Sequence, residues 1–212
     1  MASILDLLSS DIGKQLISGA SAQTGQPADK TANVLSMALP VILGAMQRNV
    51  ASPEGAQSLS NALNDNRHDG SILDQLGGIL GGGNVDSSLL NDGAGILNHV
   101  LGSNQQRVEQ NISSTSGVDA SSVAQMIKMA APVIMGVLGN QKRKDNVSES
   151  GLGDLLGSVL GKNTHHDQSL IETLLDSDGD GSIIDDVAGM VLGGTSKKKG
   201  GLTGLLGGFF GK

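Results

Sequence analysis

The sequence predicts an all-α protein, a duplicated helical bundle in two pseudo-symmetric halves with glycine-rich linkers and a loose C-terminal tail. Three observations predict it. Apolar residues recur at spacings of three and four, and no run shows the alternation or the β-branched and aromatic enrichment of strands. The 212-residue chain matches itself at a shift of 92, so that residues 4–50 lie on 96–142 without a gap. With 32 glycines, two phenylalanines and no Trp, Tyr or Cys, the core must be built from Leu, Ile, Val, Ala and Met. Small aliphatic side chains and glycines favour close helix-on-helix contact.

Along the first half, Leu5, Leu8, Ile12 and Leu16 mark one helix. Ala28 to Leu39 is apolar almost all round, which places it at the centre. Pro40 follows and has no amide hydrogen to donate to residue 36, so it either kinks this helix or begins a new one. Ser52-Pro53-Glu54 reads as an N-cap, a first-turn proline and a first-turn acid, opening a helix through Leu59 and Leu63. Ser71 and Asp74 cap another. Glycines spaced by four (Gly77 with Gly81, Gly78 with Gly82, Gly153 with Gly157 and Gly161, Gly189 with Gly193) read as flat strips for close packing. Each interior helical glycine costs about 1 kcal/mol relative to alanine, so such strips need an offsetting contact.

The second half repeats the first. Gly25, Met37, Ala38, Pro40, Val41, Ile42 and Gly44 recur as Gly117, Met129, Ala130, Pro132, Val133, Ile134 and Gly136. The segment Asp69-Gly70-Ser71-Ile72-Leu73-Asp74 returns as Asp180-Gly181-Ser182-Ile183-Ile184-Asp185, now at a shift of 111. The longer shift places an insertion near 145–168. A looser copy, Asp92 to Asn98, opens the second half. The expected organisation is a first half over 1–83, a second over 84–194, and a basic, glycine-rich, apolar tail over 195–212. A period this long suggests a duplicated domain and not a solenoid.

Several function classes drop out. Without cysteine there is no disulfide framework and no thiol chemistry. The N-terminus lacks a basic leader region, and Asp6 interrupts its apolar stretch, so no signal peptide is expected. The longest nearly apolar runs, 37–46 and 129–139, fall well short of the roughly 20 residues that span a bilayer. A net charge of -7 argues against nucleic-acid binding. The clusters Lys142-Arg143-Lys144 and Lys197-Lys198-Lys199 read as solvated linker charge. No nucleophile elbow, phosphate loop or dinucleotide fingerprint is present, and the four histidines form no i, i+4 pair; His165 and His166 read as solvated loop residues.

The sharpest chemical motif is Asp176-Ser177-Asp178-Gly179-Asp180-Gly181-Ser182, followed by Asp185 and Asp186. Calcium takes six to eight oxygens, and an EF-hand loop supplies them from positions one, three, five and seven around a turn glycine at six. Asp176, Asp178, Asp180, the Ser182 carbonyl and Gly181 fit those places. Position twelve is Val187, which cannot bind, so Asp185 or Asp186 would have to close a shortened loop. The other reading is an Asp-Gly turn with a helix cap, needing no ion. In the first half the same places hold Asp65, Arg67 and Asp69, where Arg67 repels a cation and neutralises its neighbours.

Leu39-Pro40-Val41-Ile42-Leu43-Gly44-Ala45-Met46, Ser52-Pro53-Glu54-Gly55-Ala56 and the Asp178 to Ser182 segment with Asp185-Asp186 together resemble the bacterial YidB-like proteins, the family called domain of unknown function 937. The resemblance implies a compact helical bacterial protein and carries no activity or catalytic residues with it. The expected function is a non-enzymatic structural or protein-interaction role, self-associating and tuned by calcium. Two alternatives stand beside it: a membrane-surface protein acting through its proline-broken helices and residues 197–212, and a hydrolase of unrecognised type. Cytoplasm is the default location, though export without a cleaved signal fits the same features.

Overall fold

The computed structural model describes residues 4–80 and 85–161, all within the first of the two units into which the chain divides, Met1–Leu175. Among the described residues every regular element is a helix, as the periodicity predicts. The expected first helix is two, α1 (Ile4–Ser9) and α2 (Asp11–Thr24). Ser10 separates them: its hydroxyl donates to the Leu7 carbonyl at 2.6 Å and accepts from the Gly13 amide at 3.3 Å. The chain turns so tightly there that a side chain at Gly13 would run into the Leu7 and Leu8 backbone. A spacing of three and four continues across this break, which is why periodicity alone did not reveal it.

After Gly25, at φ 67°, comes α3 (Ala28–Asn49), continuous through Pro40. Its unbroken burial runs from Ala38 to Met46, displaced toward the C-terminus from the predicted Ala28–Leu39; Ala28, Asp29, Lys30 and Asn33 are exposed. α4 (Pro53–Asn64) starts as predicted, with the Ser52 hydroxyl accepting from the Gly55 amide at 3.1 Å. A 3-10 turn, Asn66–His68, leads to α5 (Ser71–Leu80). The cap of α5 is Asp69, whose carboxylate accepts from the Ser71 amide at 2.8 Å; Ser71 is already helical. α6 (Ser87–Leu101) contains Asp92 to Asn98 in its interior, so this looser motif copy opens no helix.

A second 3-10 turn, Gly102–Asn104, precedes α7 (Gln105–Ser116), which ends at Gly117, again at φ 67°. α8 (Ala120–Lys144) runs continuously through Pro132 and is capped by Asp119. α9 (Leu152–Leu160) falls in the segment expected to hold the insertion and packs on α3. The turns before α3 and α8 touch: the Gln26 side-chain amide donates to the Asp119 carboxylate at 3.4 Å.

One core cluster draws residues from α2 through α9, centred on Leu35, Leu39, Ile42, Leu43, Met126 and Ile127. α8 is 25 residues long and holds an 18-residue window with a mean hydropathy of 1.4, so by length and composition alone it is able to cross a membrane, although its uninterrupted apolar run is shorter. Its apolar window is 78% buried inside the protein. A helix apolar on all sides must be enclosed, and here protein encloses it.

Three of the period-four glycines, Gly77, Gly78 and Gly153, do not mediate close approach, while Gly157 is buried in α9. Gly78 and Gly153 face open space, and Gly77 meets only the Gln15 side chain. Close approach occurs elsewhere, at Gly19 and Gly136, which receive Leu80 and Ile72 of α5, and at Gly93 and Gly139, which lie against the carbonyls of Lys128 and His68. The basic run 142–144 is not linker either. It forms the last turn of α8, where Arg143 donates to the Leu63 and His68 carbonyls at 3.0 and 2.8 Å and Lys142 to the Asn64 side chain at 2.7 Å. Arg143 there satisfies one carbonyl at the end of α4 and one in the 3-10 turn after it.

Candidate binding groove

α4 and α6 both pack on α8 and leave between them an open groove of about 860 Å³. Its apolar side chains are Leu59 and Ala62 of α4, Ile96 and Val100 of α6, and Met135 of α8. Ser58 and Asn61 line it from α4, and Ser88, Asn91, Gly95 and His99 from α6. Residues 88, 91/92, 95/96 and 99/100 recur at helical spacing, so one continuous face of α6 borders the groove. At the C-terminal end of α6, the Asn49 side-chain amide donates to the Val100 carbonyl at 3.3 Å.

Arg67, His68 and Asp92 also line the groove and form its only charged or titratable lining apart from His99. His68 is 3% exposed. Its Nδ1 lies 2.8 Å from the Ala62 carbonyl and its Nε2 3.0 Å from Asp92 Oδ2. Arg67 Nη1 donates to the other oxygen of Asp92 at 2.8 Å, while its Nε and Nη2 hold Asp65 at 3.1 and 3.0 Å. Hydrogen bonds from Arg67, side chain first and then main chain, pull the Asp65 carboxyl down to about 2. The same side-chain bond, with the charges of Asp92 and Asp65, raises the Arg67 guanidinium above its ordinary value. The 3-10 turn places Arg67 and His68 so that both reach the middle of α6, and Gly139 of α8 lets the His68 carbonyl settle close enough for Arg143 to bind it.

This turn is the segment that the sequence pattern sets beside the aspartate-rich motif. Arg67 neutralises Asp65, and Asp69 caps α5, so this loop takes the cap-and-turn form. The predicted calcium ligands Asp176, Asp178, Asp180, Ser182, Asp185 and Asp186 lie outside the described residues, as do His165, His166 and the tail 197–212. Among the described residues no group of three or more His, Asp or Glu side chains is placed to hold a metal ion. No local spacing marks the His68–Asp92 pair, because its members lie on separate elements. These two residues are 24 apart and meet only because α4 and α6 flank the same face of α8. The echo of Asp69-Gly70 in Asp92-Gly93 marked one partner but not the other.

A helical bundle with a groove between two of its helices defines an all-α architecture among the described residues. The chain belongs to the bacterial proteins of unknown function termed DUF937, whose family pattern matches residues 6–141, from α1 through most of α8. No curated protein and no solved structure matches it.

Proposed function

We propose that this chain is a non-enzymatic structural or protein-interaction protein whose recognition surface is the groove between α4 and α6. The carrying observation is how the charged groups of the groove are engaged. His68 is buried with both ring nitrogens facing acceptors, and Arg67 bridges two carboxylates. A general base needs a nitrogen within reach of a substrate proton and a partner to orient it; His68 presents none to the groove, and His99 stands at its exposed edge. What faces the opening is aliphatic surface bordered by small hydroxyls and amides, the lining that suits an apolar helix face. The run of α6 from Ser88 to His99 extends about 16 Å at the helical rise of 1.5 Å per residue, a length of three turns. Gly95 sits midway along that face with nothing above it, so another backbone can approach there.

The same proposal includes a doubled helical unit, self-association and calcium tuning through Asp176, Asp178, Asp180, Ser182, Asp185 and Asp186, in the cytoplasm by default. The doubling is supported by the matched pairs α2–α3 and α7–α8, each joined through a left-handed glycine and each carrying a proline in its second helix. Self-association is tested by light scattering of the wild type and of Gly95→Trp, which fills the groove from an open position. A concentration-dependent mass increase that the substitution abolishes is the expected result; a strict monomer at all concentrations removes this part of the reading. Calorimetric titration of calcium into the wild type and Asp178→Ala tests the other part, with heat expected from the first alone.

A second reading, action at a membrane surface, is favoured by one observation, the length and hydropathy of α8. Flotation with anionic vesicles separates it from the first. Protein that stays at the bottom of the gradient ends the membrane reading and leaves the groove untouched.

A further inference from the structure

We draw no further inference here: the strongest candidate, the open groove between α4 and α6 beside Met135 of α8, belongs to the site already described, and nothing in the structure shows what covers it.

Discussion

Gly93 of α6 lies directly against the main-chain carbonyl of Lys128 in α8. Lys128 is four residues before Pro132, which has no amide hydrogen to donate back to it. The carbonyl left without its helical partner is thus the one that meets the backbone of a neighbouring helix, at a residue with no side chain. Cα–H to carbonyl contacts recur at such helix crossings and contribute modestly. A β-carbon at position 93 would overlap the carbonyl, so Gly93→Ala is expected to destabilise the fold by about 1–3 kcal/mol or more, as overpacking a tight contact does. Gly95, two residues on in the same helix, has open space, and Gly95→Ala is expected to stabilise by up to about 1 kcal/mol through helix propensity. Urea unfolding of the two variants checks both signs. Equal effects would mean that α6 does not cross α8 at Gly93.

The His68–Asp92 contact joins the 3-10 turn after α4 to the middle of α6. Asp92→Ala leaves a buried ring nitrogen and one Arg67 nitrogen without their acceptor, at an expected cost of about 1–3 kcal/mol. A double-mutant cycle with His68→Ala is expected to return a coupling of about 0.5–3 kcal/mol. Additive effects would show that the two side chains do not meet in solution.

The cap of α8 is expected to titrate in acid. Hydrogen bonds from Ser122, side chain and then main chain, and from the Ser121 hydroxyl hold the Asp119 carboxyl at about 2. An unfolded aspartate titrates near 3.9. A carboxyl with a depressed folded value contributes its stability in full above the unfolded value and loses it as pH falls through the folded one. The protection factors of amides at the start of α8, which divide out the intrinsic pH dependence of exchange, should therefore fall between about pH 4 and pH 2. Asp119→Asn keeps a good N-cap and removes the titration, so its protection factors should not show this cap-linked fall. Asp65, also near 2, titrates in the same window, which is why the readout is local to α8.

Arg143 holds the end of α4 and the 3-10 turn after it through two carbonyl contacts; its neighbour Lys144 is exposed. Arg143→Ala is expected to cost about 1–2 kcal/mol, and Lys144→Ala to stay within about 0.5 kcal/mol of the wild type. Thermal melts of both variants distinguish a structural cation from a solvated one. Matching melts would return the whole run 142–144 to surface charge.

Much of the helical content was legible because it is local. Ser52-Pro53 announced α4, because an N-cap hydroxyl and a first-turn proline act within one turn. Gly25 and Gly117 matched at the shift of 92, but only the structure shows that both are left-handed joints, one before α3 and one before α8. The split at Ser10 was not legible, since Ser10 interrupts the hydrogen bonding without interrupting the apolar spacing. The groove was less legible still. Its lining comes from α4, the turn after it, α6 and α8, and no short window of sequence contains more than one of these.

By itself, then, the sequence determined the helical character, where α3 and α4 begin, and which residues are apolar enough to form the core. Those choices depend on neighbours within about four positions, where backbone hydrogen bonds and caps operate. Only the tertiary structure decided which glycines receive another helix, that Arg143 is a cap, and that His68 finds Asp92. These depend on how α8 is surrounded. Side-chain type constrains such an arrangement through the area it buries, and burial carries no direction, so the partners are chosen by packing and not by any motif.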